Sequence, residues 1–256
     1  MASRVHGSIG CSAGEHGYED MQKLGSTSNH VKTRPEITLS LMNKGDFGEY
    51  PKLYKLASDF TCTGSPHRDL PGQWLFEGFV TAEEEGQLLK ILDTHPPDWR
   101  EKSVNGRQRG KAWGVVVDLL RRTVSPAVHP LPPMIAMLAD RMQKLPLLRN
   151  FHANEANALD YRKGMHVLYA HADDRRLSTE VICNLSLAGS AVMSFNREKG
   201  GVPHEVRALL PPRSLQVLTK DARYNYTHAI HTEDILSPRR VSITFRHSHL
   251  TPSNSV

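Results

Sequence analysis

From Asn154 to Arg246 the chain runs as short apolar stretches: ANALDY, MHVLYAH, EVICNLSL, AVMSF, EVRALL, SLQVLT, YTHAIH and RRVSITFR. Gly, Pro, Asp and Asn separate them. Each is too short for a helix that buries a face, and several alternate apolar with polar residues as half-buried strands do. A lone strand leaves backbone groups unpaired, so a succession of them implies two packed sheets or a barrel. The expected fold class is therefore α+β, mainly β.

The segment before this β region reads differently. WLFEGFVTAEEEGQLLKILDTHPP is a strand followed by a helix: Thr81 can cap it, Glu84 completes a capping box, and Leu88, Leu89 and Leu92 form the buried stripe. A second helix starts at Pro132 or Pro133, with Met134, Met137, Leu138 and Met142 on its core side. Residues 1–73 are rich in Gly, Ser, Thr, His and Lys without a sustained period, and read as a flexible N-terminal arm. Within it, Leu53, Leu56 and Phe60 can form a turn or two of helix against the body. The folded domain is expected over residues 74–250.

Composition narrows the class of protein. With 39% hydrophobic and 23% charged residues the chain reads as an ordinary soluble one, without an apolar run long enough to span a bilayer. The first 25 residues lack an apolar core, and Glu15, Glu19 and Asp20 do not suit a transit peptide, so a cytosolic or nuclear location is expected. The three cysteines are too widely spaced for a disulfide framework or a thiolate zinc site. Residues 1–72 carry 8 basic and 8 acidic side chains, so the net charge of +5 belongs wholly to the rest.

The chemistry gathers around HADDRR. On an extended chain His171 and Asp173 point to the same side and can converge on one metal ion. A third ligand must come from another strand, and YNYTHAIH offers His228, with His231 the weaker choice because it heads into a charged turn. Two imidazoles and one carboxylate on one side of a metal leave three positions open, as non-haem Fe(II) oxygenases require. In RRVSITFR, Arg240, Ser242, Thr244 and Arg246 share one face while Val241, Ile243 and Phe245 share the other. Arginines facing a barrel interior need an anion, and a dicarboxylate suits them.

The joint order of HxD, a His 57 residues later and RxxxTFR resembles the AlkB-like branch of the Fe(II)- and 2-oxoglutarate-dependent dioxygenases. FVTAEEEGQLLKIL and ALDYRKGMHVLYAHADD are similar to that family's first strand and helix and its central segment. The resemblance covers residues 74 to about 248 and implies a double-stranded β-helix, or jelly-roll, flanked by N-terminal helices. It implies Fe(II) held by His171, Asp173 and His228, with 2-oxoglutarate and dioxygen as cosubstrates. Arg240 would pair the distal carboxylate, Tyr161 would hydrogen-bond the cosubstrate, and Arg246 would lie near its metal-bound end. Two positions depart from the family pattern: Ser242 and Leu159 stand where Asn is common.

The activity implied is oxidative removal of N-methyl groups from a macromolecule, methylated protein or methylated nucleic acid, with no protein nucleophile or general base. In SVNGRQRGKAW, Arg107, Arg109 and Lys111 precede Trp113, a pattern that can neutralise phosphates and stack a base. Arg175 takes the place where several nucleic-acid demethylases of the family carry a second Asp to read the base, and cannot accept a hydrogen bond. The subgroup that the chain most resembles is associated with methyl-lysine in protein and N6-methyladenine in DNA; the expectation leans to methyl-lysine. A module of the same fold that binds without turnover is the reading of another class.

Overall fold

A computed structural model describes residues 56–57, 62–198 and 205–252, in which two longer helices and one short one accompany a curled antiparallel sheet and a separate hairpin. The strands are β1 (Gly64–Pro66), β2 (Gln73–Phe76), β3 (Arg100–Lys102), β4 (Gly106–Trp113), β5 (Val115–Asp118), β6 (Thr123–Pro126), β7 (Glu155–Arg162) and β8 (Val167–His171). They continue with β9 (Ser178–Leu187), β10 (Ala191–Arg197), β11 (Glu205–Leu210), β12 (Leu215–Leu218), β13 (Tyr226–Ile230) and β14 (Arg239–Ser248). The helices are α1 (Ala82–Thr94), α2 (Pro133–Met142) and the short α3 (Lys220–Tyr224).

The main sheet runs β1-β2-β12-β9-β14-β7-β4-β8-β13-β10-β11, with β3 beside β4. It turns the corner at β4, whose C-terminal half pairs with β7 and whose first residues, Gly106 and Arg107, pair with β8. The bend brings Gly106 against β8: φ is +151° and a Cβ there would lie 2.3 Å from the Val167 carbonyl oxygen, so only glycine passes. A separate hairpin, β5-β6, leaves the end of β4.

The alternation read from the sequence sets two layers. On β14, Val241, Ile243 and Phe245 are fully buried among Leu88, Ile91 and Leu92 of α1 and Met134, Leu138 and Met142 of α2. Thr81 accepts from the Glu84 backbone and Glu84 accepts from the Thr81 amide, closing the capping box. The Glu84 carboxylate also receives the buried Arg141 of α2 and the amide of Ala57. The other face of β14 and the concave sides of β7, β9 and β12 enclose a second cluster with Leu168, Phe195 and Ile230.

Strand β1 pairs with β2, so among the described residues paired structure is already present at Gly64, inside the segment read as the arm. Leu56 packs on the helix-side core; Leu53 and Phe60 lie outside the described residues. No helix among the described residues is long and apolar enough to cross a membrane.

Candidate metal centre and cosubstrate cavity

His171 ends β8, and backbone pairing sets it directly opposite His228 of β13. Their rings lie 4.4 Å apart between centroids. Asp173 follows in the turn beyond β8, and its Oδ1 stands 3.7 Å from His171 Nε2. One ligand atom from each of the three residues lies within 4.8 Å of the others, the one such cluster among the described residues. The His171 Nδ1 sits 2.8 Å from the Tyr169 carbonyl, an acceptor, so the ring donates there and turns the Nε2 lone pair inward.

The electrostatics keep the donor set ready for a cation. Burial opposes charge on Asp173, but the Arg246 guanidinium, the two histidines and the Arg246 hydrogen bond outweigh it and hold the carboxyl well below the usual carboxylate range. Burial also lowers His228, to about 4, so its ring is neutral at physiological pH. Asp173 is pinned twice. Arg246 Nη2 donates to its Oδ2 at 2.9 Å, and Arg223 of α3 donates to its main-chain carbonyl at 3.0 Å. Arg246 in turn reaches Glu155 at 3.1 Å. Asp174 is turned away: its Oδ1 accepts the amides of Arg176 and Leu177 and shapes the turn instead.

Below the three residues lies a cavity of about 60 Å³ between Asp173, His228, Tyr161, Arg240, Asn184 and Gln216. Arg240 is 1% exposed, and burial lowers its pKa without removing its charge. It donates to Ser186 Oγ at 2.9 Å and stacks 5.5 Å from the Tyr161 ring, while its Nε has no partner. Burial pushes the Tyr161 hydroxyl up to about 12, so it stays protonated and can donate. A fully buried guanidinium without a carboxylate partner is costly unless an anion joins it. The donor set thus fits a divalent metal with open positions, and the cavity fits a dicarboxylate beside it. A wider cleft of about 560 Å³, lined among others by His171, Asp173, Gln108, Leu159 and Thr244, opens above.

The basic segment SVNGRQRGKAW, most of which forms β4, is placed otherwise than its sequence pattern implied. Trp113 is buried among the helices and its indole donates to the Pro96 carbonyl at 3.0 Å, so it cannot stack a base. Lys111 is also buried; its amine donates to the carbonyls of Leu92 and His95 at the C-terminal end of α1, where a cation complements the helix dipole. It cannot meet a phosphate. Arg109 lies opposite Asp160 on that same helix side, 3.9 Å from Asp160 and Glu101. Arg107 is exposed but holds the Met165 carbonyl. Arg175 is paired with Glu198. Of β4, Gln108, Ala112 and part of the Lys111 side chain line the cleft, and the Lys111 amine is turned to the α1 carbonyls. Sequence reasoning also missed Glu155, Asn184, Gln216 and Arg223. For the first three the period-two phase with Tyr161, Ser186 and Leu218 was the available signal; Arg223, on a five-residue helix, offered none.

Comparison with known proteins agrees with this geometry. Residues 72–246 match the model of the 2OG-Fe(II) oxygenase superfamily. The chain is 32% identical over 220 residues to alpha-ketoglutarate-dependent dioxygenase alkB homolog 4 of Homo sapiens, covering 74% of this chain and 70% of that protein. It is 32% identical over 207 residues to the Mus musculus protein of the same name, covering 69% and 67%. Among solved structures, OsALKBH1 aligns with a TM-score of 0.54 at 14% identity, over 72% of this chain and all of that one, and shows the fold alone. With the fold a jelly-roll and the family match spanning nearly every strand, the chain belongs to the 2OG-Fe(II) oxygenase superfamily, in its AlkB-like branch, and is a dioxygenase dependent on Fe(II), 2-oxoglutarate and dioxygen.

Proposed function

We propose that the protein removes N-methyl groups oxidatively from lysine side chains of a protein substrate, with His171, Asp173 and His228 as the iron ligands. Arg240 and Tyr161 hold the cosubstrate. The observation that carries the substrate reading is the wall of the 560 Å³ cleft. Among the described residues lining it there is no Phe, Tyr or Trp, whereas Leu159, Leu168, Leu177 and Val117 are present. A flipped base needs stacking partners. An alkylammonium chain needs an aliphatic channel, and these four side chains line one.

Bound in this site, Fe(II), 2-oxoglutarate and dioxygen would supply the oxidation of a methyl C–H bond, and the hydroxymethyl amine then separates into formaldehyde and free amine. The chain's own groups orient and exclude. Arg246 balances the Asp173 charge and fixes its carboxylate plane through a short ion-pair bond. Arg240 offers the fork that a carboxylate takes up, and Tyr161 adds a neutral donor beside it. Leu168 and Ile230 are buried apolar residues of the cavity wall and lower the local dielectric, which strengthens these interactions.

The test is succinate and formaldehyde release with methyl-lysine peptide or N6-methyladenine DNA, with the Asp173→Ala variant as blank. Release that rises with peptide alone supports the reading. Release that rises with the DNA alone would transfer the activity to nucleic acid.

A further inference from the structure

One polar row on the concave face is not explained by the metal ligands or the arginines. Backbone pairing sets Gln216 of β12 opposite Asn184 of β9, and Asn184 opposite Thr244 of β14. All three line the 60 Å³ cavity with Arg240. Gln216 is 1% exposed, yet neither atom of its amide has a hydrogen-bond partner; Asn184 Oδ1 and Arg240 Nε are also unpaired. A primary amide shut away unbonded destabilises a fold that an apolar side chain would suit better. Its neighbours Leu215, Val217 and Leu218 are all apolar.

We propose that Gln216 and Asn184 form a neutral donor arm that grips the same cosubstrate carboxylate as Arg240; this rests on the reading of the cavity as the 2-oxoglutarate site. Two donors there lack acceptors, Arg240 Nε and Gln216 Nε2. A carboxylate has about four lone-pair sites and can satisfy both. Asn184 now donates through Nδ2 to Thr244 Oγ1 at 3.2 Å. A half-turn of its amide lets the Thr244 hydroxyl donate to Oδ1 and frees Nδ2 for the ligand, so the donors of the row find acceptors when the anion enters. Leu159, on the same concave side, has no donor, and Ser242 has only a short hydroxyl. The amides of β9 and β12 therefore supply the reach that β7 and β14 lack.

Calorimetric titration of 2-oxoglutarate into the Mn(II)-loaded full-length protein tests this without turnover. Gln216→Met, close in volume, is expected to bind the cosubstrate about 10-fold more weakly, because a hydrogen bond to a charged group is lost. Gln216→Glu should bind more weakly still, since a second carboxylate then faces the first. In both, Mn(II) affinity measured without cosubstrate stays at the wild-type level, and Gln216→Met melts no lower than wild type because an unpaired buried amide has gone. Variants that bind 2-oxoglutarate within about twofold of wild type overturn the donor arm. A fall in Mn(II) affinity together with melting temperature marks a structural residue and overturns it as well. A wild type that binds Mn(II) but no 2-oxoglutarate would instead sink the reading of the cavity, and the donor arm with it.

Discussion

Arg223 is buried at 3% exposure, and the Asp173 carboxylate acts on it through space without a direct ion-pair contact. Its guanidinium donates to the carbonyls of Asp173 and Asp174 and to Ser178 Oγ, tying α3 to the turn that presents Asp173. Hydrogen bonds from a charged donor contribute about 1.5–3 kcal/mol each. Against them stands a desolvation penalty of several kcal/mol, reflected in burial lowering the Arg223 pKa. Because the two offset, Arg223→Met should change global stability by only about 1–2 kcal/mol. Geometry is not compensated in this way. The Asp173 main chain loses its tie to α3 while Arg246 continues to pull on the carboxylate, so the ligand turns away from His228. Loss of such a supporting contact typically weakens metal binding about 10- to 100-fold. Mn(II) titration by calorimetry, with a Co(II) absorption spectrum to report the donor geometry, measures the effect. Arg223→Lys keeps the charge but not the fork and should fall between. A Met variant with the wild-type spectrum and an affinity within about threefold of wild type would refute the reasoning.

Arg240→Lys loses the two-pronged fork and should raise the 2-oxoglutarate concentration needed for half-maximal turnover without changing metal affinity; an unchanged requirement would place the cosubstrate elsewhere. His228 in the metal-free protein should titrate near pH 4 in a histidine-resolved NMR experiment. Its folded pKa lies below the ordinary value of about 6.5, so the unfolded chain takes the proton first, and stability present above that value is lost as pH falls towards 4. A midpoint of 6 or more would contradict the burial argument. Trp113→Ala should lower stability by about 3–5 kcal/mol in denaturant unfolding and leave the choice between peptide and DNA substrate unaltered. A change in that choice at wild-type stability would restore Trp113 to the substrate side.

Strands and helix starts were legible because their signals are local: an apolar alternation, a Thr-x-x-Glu box, a Pro-Pro start. RRVSITFR was legible in full, since three apolar residues in one phase declared which side faced the helices. GRQRGKAW was misread for the opposite reason. Its one large apolar residue, Trp113, sets the phase, and a buried Trp113 carries Lys111 and Arg109 to the helix side with it and leaves Gln108 towards the cleft. Read as a basic segment whose tryptophan could stack a base, it gave no phase at all. His171, Asp173 and His228 were accessible only as a joint pattern, because β8 and β13 become neighbours through a pairing between segments that four strands and a helix separate in sequence.

Glu155, Asn184 and Gln216 escaped for one physical cause, a polar face that alternation alone does not assign. On one side of the sheet, Phe245, Ile243, Leu185 and Val217 pack against two helices and supply the apolar burial that stabilises the fold. On the other, Arg240, Ser242, Ser186, Gln216 and Thr244 are buried polar groups. Their sequence pattern is identical to that of a sheet with one wet face, since alternation reports only that two faces differ. Whether the polar face meets solvent or a ligand depends on closure by β8, β13 and β10, which is a property of topology. Once the sheet is known to curl, the inference reverses. Each polar residue on the concave side that lacks a partner points to a ligand, and the unpaired donors that line one cavity with Arg240 call for an anion where an apolar core would have been more stable.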